Sequence, residues 1–184
     1  MTDAAKAVPA RLAQLAAFIN THDIEDRRDT IATPGTLHDW LVDNGLIDRR
    51  VRLTDADVER ARELRETLRD VAEANAGHGG DAAIDRLDAI AAEVPLRLRF
   101  RPSGELEAER GGIDAAFAAL LASVQGAMTD GTWSRFKACR NPECRWAYYD
   151  TSRNRSGRWC SMAICGNRMK GRAFRRRRQA SAPA

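Results

Sequence analysis

Long apolar runs are absent from this sequence of 184 residues, of which 43% are hydrophobic and 30% are charged. No uninterrupted apolar stretch approaches the roughly 18 residues that a membrane-spanning helix requires. The N-terminal residues 1–6 also lack the apolar core of a secretion signal. We therefore expect a cytoplasmic globular protein without a membrane anchor, built as one domain or as one domain with a small attached module.

Cysteine is absent from the first 138 residues. The four cysteines form two pairs, Cys139 with Cys144 and Cys160 with Cys165, and fifteen residues separate the pairs. Two short-spaced pairs joined by such a loop are typical of zinc ligands, and clustered cysteines are seldom disulfides in a reducing compartment. Four thiolates leave no open coordination position. The sequence therefore predicts one structural Zn²⁺, with reduced or redox-active cysteines as the alternative.

Acidic residues are scarce in the C-terminal part of the chain. Residues 131–184 carry 14 Lys and Arg against only Glu143 and Asp150, a net charge of +12. Residues 1–130 carry 16 Lys and Arg against 24 Asp and Glu, a net charge of −8. This division predicts an acidic body and a basic arm that could meet a polyanion, unless the two parts simply neutralise each other.

Catalytic motifs are also absent, since three scattered histidines form no constellation and the chain has no glycine-rich phosphate loop. We therefore expect no enzymatic activity. Asn20 and Thr21 follow an apolar segment and could line a ligand pocket beneath Trp40. Alternatively, these two polar residues cap a helix and turn the chain.

Apolar residues at helical spacing dominate the body. They predict helices within residues 10–20, 34–45, 55–76, 81–90 and 113–128, although residues 15–19 also allow a strand. Thr33 before Pro34, and Thr54 with Asp57, are typical of helix starts. Alternating Leu and Arg at 96–101, a turn at 102–104 and a second alternation at 105–108 predict a β-hairpin.

The cysteine segment contains its own strand signal at residues 145–149. A polar turn at 150–157 and the return towards Cys160 predict a hairpin between the two cysteine pairs. A helix is expected from Met162 onward, with Met169 and Phe174 as apolar contacts. The predicted fold class is α+β, with a mainly helical N-terminal body that carries a β-hairpin, plus a small C-terminal zinc-finger module with four cysteine ligands.

Residues 139–178 resemble the CGNR-type zinc finger, through Cys165-Gly166-Asn167-Arg168 and through the runs at 149–154 and 158–162. The N-terminal region is similar to the ABATE domain of stress-induced transcription regulators, through residues 18–21, 37–46 and 64–66. The resemblance implies an ABATE-like ligand-sensing or regulatory domain over 1–130 and a CGNR finger with a basic arm over 131–184. It also implies DNA binding by the finger. With that function we expect a body that senses a small molecule or forms a homodimer.

Phosphate neutralisation by arginine and lysine is the physical basis for that binding. The candidate nucleic-acid contacts are Arg153, Arg155, Asn167, Arg168, Lys170, Arg172, Arg175, Arg176, Arg177 and Arg178. For three of the finger's residues a structural role stays open. Arg158 and Arg168 could balance the thiolate charge, and Asn167 could brace the finger. RNA binding through Tyr148 and Tyr149, or a protein-interaction role for the finger, are the alternative functions.

Overall fold

A computed structural model of the protein describes residues 7–77, 80–99, 105–108 and 111–180. The helices are α1 (Ala10–Ile19), α2 (Pro34–Asp43), α3 (Asp55–Ala74), α4 (Asp81–Glu93), α5 (Ile113–Thr129) and α6 (Asn167–Ala180). The strands are β1 (His22–Asp23), β2 (Arg28–Asp29), β3 (Leu96–Arg99), β4 (Glu105–Ala108), β5 (Phe136–Ala138) and β6 (Ala147–Tyr149). A 3-10 turn spans Trp133–Arg135 and a π-helical turn spans Met162–Gly166. The predicted α+β fold class is confirmed.

Local capping chemistry fixes where two of the body's helices, α2 and α3, begin. The side chain of Thr33 accepts a hydrogen bond from the amide of Thr36, whose own hydroxyl accepts one from the amide of Thr33. Thr54 and Asp57 form the same reciprocal arrangement at the start of α3. Each arrangement satisfies amides that the first helical turn leaves without partners, so both helices start where the sequence predicts.

The core lies among α1, α3 and α5, with α1 packed against both of the other helices. Leu15 and Phe18 of α1 and Leu68 of α3 are fully buried, and Trp40 of α2 packs on Phe18 with 5.5 Å between ring centroids. Burial of side chains of this size contributes roughly 1.5–3 kcal/mol each. This packing makes residues 15–19 part of a helix, and the strand that the sequence also allowed there does not form.

Three antiparallel two-stranded sheets are present within the described ranges. The predicted hairpin is β3 with β4, whose register places Arg97 opposite Glu107. Its predicted turn at 102–104 lies outside the described residues. The segment 22–31, between α1 and α2, contains the short pair β1 and β2.

The third sheet corrects the predicted topology of the cysteine segment. Strand β6 pairs with β5, which precedes the first cysteine, and Phe136 lies opposite Tyr149. A hairpin formed by β6 and the segment before Cys160 was therefore the wrong prediction. The physical reason is apolar matching, because Phe136 and Ala147 bury themselves in the same core as α1 and α3.

Buried arginine reinforces this contact between body and finger. Arg69 of α3 is fully buried and donates to the carbonyls of Arg145, Ile19 and His22 at 2.7–3.0 Å. Burial lowers the pKa of Arg69, and the nearby carboxylate of Glu66 opposes that shift. The charge is paired and its donors are satisfied, as a buried guanidinium requires.

Within the part of the chain that the structure describes, no helix is long and apolar enough to cross a membrane.

Candidate zinc centre

The four cysteine sulfurs converge on one point at the edge of the core. All four Sγ atoms lie within 4.8 Å of one another. Cys144 Sγ is 3.7 Å from Cys160 Sγ, which is 3.8 Å from Cys165 Sγ. Tetrahedral Zn–S bonds of about 2.3 Å place sulfurs about 3.8 Å apart. The residues present therefore fit Zn²⁺, and the four cysteines are able to bind one zinc ion.

Asparagine and backbone geometry shape the first cysteine turn. The carbonyl of Asn141 accepts bonds from the amides of Cys144 and Arg145 at 2.9 and 3.0 Å. The side-chain Nδ2 of the same fully buried asparagine lies 3.7 Å from Cys165 Sγ. Asn141 thus closes its own turn and also orients a ligand from the other pair, which is the role of an outer-sphere partner at a metal site.

The second cysteine turn is the π-helical segment Met162–Gly166. Its start is capped by Ser161, whose Oγ accepts from the amide of Ile164 at 3.3 Å. A Cβ on Gly166 would lie 2.5 Å from Met162 Sδ and 3.1 Å from Trp159 Cδ1. Glycine therefore leaves room for the side chains of Met162 and Trp159 to pack against this turn.

Crowding of the thiols separates their pKa values. A hydrogen bond from Cys144 lowers the pKa of Cys139, while the hydrogen bond to Cys139 raises the pKa of Cys144. A separate hydrogen bond with Cys139 raises the pKa of Cys160. Four thiolates at this spacing repel one another, so their joint ionisation requires a cation at the centre.

A buried ion pair holds the long loop between the cysteine pairs. Lys137 Nζ lies 2.7 Å from Asp150 Oδ2, and both side chains are almost completely buried. Burial acts to raise the pKa of Asp150, but hydrogen bonds from Lys137, Ser152 and Gly157 outweigh it and lower that pKa to about 2. Sequence reasoning missed this pair, because only the folded loop brings the two residues together.

Two of the predicted nucleic-acid contacts carry acidic partners instead. Arg168 forms an ion pair with Glu25 of the body, and Arg172 forms one with Glu143 of the first cysteine turn. The nucleic-acid contacts proposed for Arg168 and Arg172 stay predictions. These pairs hold the first half of α6 against the rest of the protein.

The remaining basic side chains lie at the surface. Arg153 and Arg155 are exposed in the loop before Cys160, and Arg155 donates to Ser134 Oγ at 3.2 Å. In α6, the exposed cations are Lys170, Arg175, Arg176, Arg177 and Arg178. Phe174, expected to be an apolar contact, is 55% exposed, and the guanidinium of Arg178 lies 6.0 Å from its ring centroid. The C-terminal half of α6 is thus a solvent-facing basic surface.

Asn167 has an internal role, since its Nδ2 donates to the carbonyl of Ala163 at 3.1 Å. This contact joins the π-helical turn to α6 and corresponds to the bracing alternative that the sequence left open. Tyr149 packs against the main core, and the hydroxyl of Tyr148 is buried and has no hydrogen-bond partner within the described ranges. Burial raises the pKa of Tyr148, and the negative charge of the Asp150 carboxylate raises it further.

The polar residues of the predicted ligand pocket also make internal contacts. Asn20 bonds to the backbone of Ala147, and the hydroxyl of Thr21 donates to the carbonyl of Phe18. Arg65 in turn donates to the Thr21 hydroxyl at 3.2 Å. The Thr21 contact corresponds to the capping and turning role, whereas Asn20 contacts strand β6. The pocket beneath Trp40 stays a prediction.

The fold and the sulfur cluster together define a zinc-finger protein whose finger packs on a helical body. The family model of the CGNR zinc finger matches residues 135–178. A second model, ABATE, described as "Putative stress-induced transcription regulator", matches residues 12–130, which is more than half of the chain. The protein therefore belongs to the ABATE family, and both resemblances are confirmed. The comparison with curated proteins found no match.

Proposed function

We propose that this protein is a cytoplasmic, zinc-dependent transcription regulator that binds DNA through its finger. The observation that carries the proposal is the position of α6 directly after the turn that contains Cys165. Seven of the fourteen residues of this helix are Lys or Arg, and none is acidic. A metal-fixed turn therefore presents a dense row of positive charge on an ordered element.

The dimensions of α6 suit a DNA groove. Fourteen residues at 1.5 Å per residue give a length of about 21 Å. The major groove is about 12 Å wide and admits one α-helix. Because Arg168 and Arg172 are paired with Glu25 and Glu143, they anchor the helix, and the exposed arginines beyond them are the proposed phosphate contacts.

Duplex DNA is favoured over single-stranded nucleic acid by the placement of the tyrosines. The ring of Tyr149 packs against the core, and the hydroxyl of Tyr148 is buried. Neither side chain offers the open aromatic platform on which unpaired bases stack.

The proposal assigns no catalytic role, since four sulfur ligands would complete the coordination of zinc. The small-molecule ligand and the homodimer stay predictions.

A salt series with the zinc-loaded protein and duplex DNA tests the proposal. Each phosphate contact contributes about 0.9 to the slope of log K against log salt concentration. The triple change Arg175→Gln, Arg176→Gln and Arg178→Gln is expected to reduce the magnitude of that slope by about 2.7. The matched control removes three exposed arginines from the loop after α2: Arg49→Gln, Arg50→Gln and Arg52→Gln.

The control variant has the same change in net charge but leaves α6 unchanged. It is therefore expected to keep the slope of the parent protein. Equal losses in the two variants would indicate a nonspecific charge effect and would contradict a role for α6. Absence of DNA binding by the parent, or tighter binding to single strands than to duplex, would overturn the proposal itself.

A further inference from the structure

A cavity of about 290 Å³ lies where the C-terminal end of α3 meets the first cysteine turn. It is lined by Glu73, Ala76, Ala138, Arg140, Pro142 and Arg145. One wall therefore belongs to the segment that matches the ABATE model, and the other wall belongs to the zinc finger. Any molecule that occupied this cavity would contact both parts of the protein.

Arg140 provides the uncommitted charge of this lining. Its Nε is buried and has no hydrogen-bond partner among the described residues. A buried donor left unsatisfied costs about 1–3 kcal/mol, so such a group requires an explanation. The other two charges of the lining neutralise each other, because Arg145 Nε lies 2.5 Å from Glu73 Oε1.

The surroundings of Arg140 leave space for its guanidinium. Gly77, just beyond the end of α3, has a φ of +87°, and a Cβ there would lie 3.2 Å from Arg140 Nη2. Ala76, Ala138 and Pro142 give the rest of the lining a mainly apolar surface. One guanidinium beside small apolar side chains matches a carboxylate that carries a short hydrocarbon group, since arginine binds carboxylates through paired hydrogen bonds.

We propose that this cavity binds a small monocarboxylate, with its carboxylate on Arg140 and its hydrocarbon part against Ala76 and Pro142. The occupant bridges α3 and the first cysteine turn and holds the two together. The competing explanation is that Arg140 only balances the negative end of the α3 dipole. The proposal does not depend on DNA binding, so failure of one leaves the other intact.

This assignment is tested by measuring butyrate binding to the zinc-loaded protein with calorimetry and with NMR chemical shifts. Butyramide has the same shape without the charge and is expected to bind at least about tenfold more weakly, since hydrogen bonds to charged groups are the stronger ones. Arg140→Gln is expected to weaken butyrate binding by about tenfold or more. Arg158→Gln, the loss of an exposed arginine in the same finger, serves as the control and is expected to bind butyrate like the parent.

Ala76→Leu provides a second variant that keeps Arg140 but fills the cavity, and it is expected to abolish butyrate binding. Equal affinity for butyrate and butyramide would overturn the proposal, as would unchanged binding by Arg140→Gln. Lack of saturable butyrate binding by the parent would favour the role of Arg140 at the helix end. The comparison of butyrate with butyramide uses the parent alone, so it decides the matter even where a variant fails to fold.

Discussion

The side chain of Asn20 and the backbone of Ala147 hydrogen-bond to each other in both directions. Asn20 Nδ2 donates to the Ala147 carbonyl at 2.9 Å, and the Ala147 amide donates to Asn20 Oδ1 at 2.8 Å. The amide group thus takes the position beside β6 that a neighbouring strand would occupy. It ties the end of α1 to the strand between the two cysteine pairs.

Replacement of Asn20 by alanine is expected to lower the free energy of unfolding by about 2 kcal/mol. The change removes both bonds and leaves the buried backbone of Ala147 without partners. Urea unfolding of the zinc-loaded protein measures the effect. Asn154→Ala, at an exposed asparagine in the loop before Cys160, is the control and should stay within about 0.5 kcal/mol of the parent. Equal stability of the two variants would contradict the structural role of Asn20.

Cys165→Ser is expected to reduce zinc affinity by more than the roughly 10–100-fold that loss of an outer-sphere partner costs. Cys165 is buried and lies within reach of the other three sulfurs, so serine leaves the ion with an incomplete set of thiolates. Competition with a chelator measures the affinity, and Ser156→Ala in the adjoining exposed loop is the control. Full zinc retention by Cys165→Ser would exclude this residue as a ligand.

Asp150→Asn is expected to cost about 3 kcal/mol near neutral pH, because it leaves the buried Lys137 ammonium without its counter-charge. The pKa of Asp150 is lowered from 3.8 to about 2 in the folded protein. A lowered carboxyl pKa gives stability that is present above the unfolded value and is lost as the pH falls through the folded value. The gap in unfolding free energy between parent and variant should therefore match at about pH 7 and about pH 5 and shrink near pH 3.

Comparison of the parent with Asp150→Asn cancels any acid-induced loss of zinc that affects both proteins alike. A gap that stays the same from about pH 7 down to about pH 3 would show that the carboxyl pKa of Asp150 is not lowered.

Gly157→Ala is expected to destabilise the finger by about 2–3 kcal/mol. A Cβ at this position would lie 2.7 Å from Asp150 Oδ1 and 2.8 Å from Asp150 Cγ. That carboxylate is held by Lys137, so it cannot move aside without loss of its own bonds. Gly171→Ala in α6 is the matched control, because its nearest neighbour would be Arg175 Nη1 at 3.7 Å. Thermal unfolding should show the control at or above the stability of the parent, since alanine favours helix over glycine.

Local chemistry is the part of this protein that the sequence predicts well. The capping pair of Thr54 and Asp57 and the closely spaced cysteines act over a few residues, so their patterns are visible without the fold. The helices of the body follow apolar spacing in the same way. The α+β class and the cysteine cluster were therefore predictable.

Long-range pairing is the part that the sequence does not disclose. The partner of β6 lies before the first cysteine, and nothing in the local pattern distinguishes it from the segment after the loop. Net charge was equally incomplete as a guide, because Glu25 is distant in sequence from Arg168 and still neutralises it. A row of arginines in a sequence therefore overstates the positive charge that is available to a ligand.

The antiparallel pair of β5 and β6 has a consequence for how this finger can be transplanted. Its inner face, which includes Phe136 and Ala147, is covered by the helices of the body and not by the finger itself. If the finger were fused to an unrelated domain, it would expose that apolar face to water and would tend to aggregate. Anyone who wishes to borrow this zinc module for an engineered chimera should carry α1 and α3 along with it.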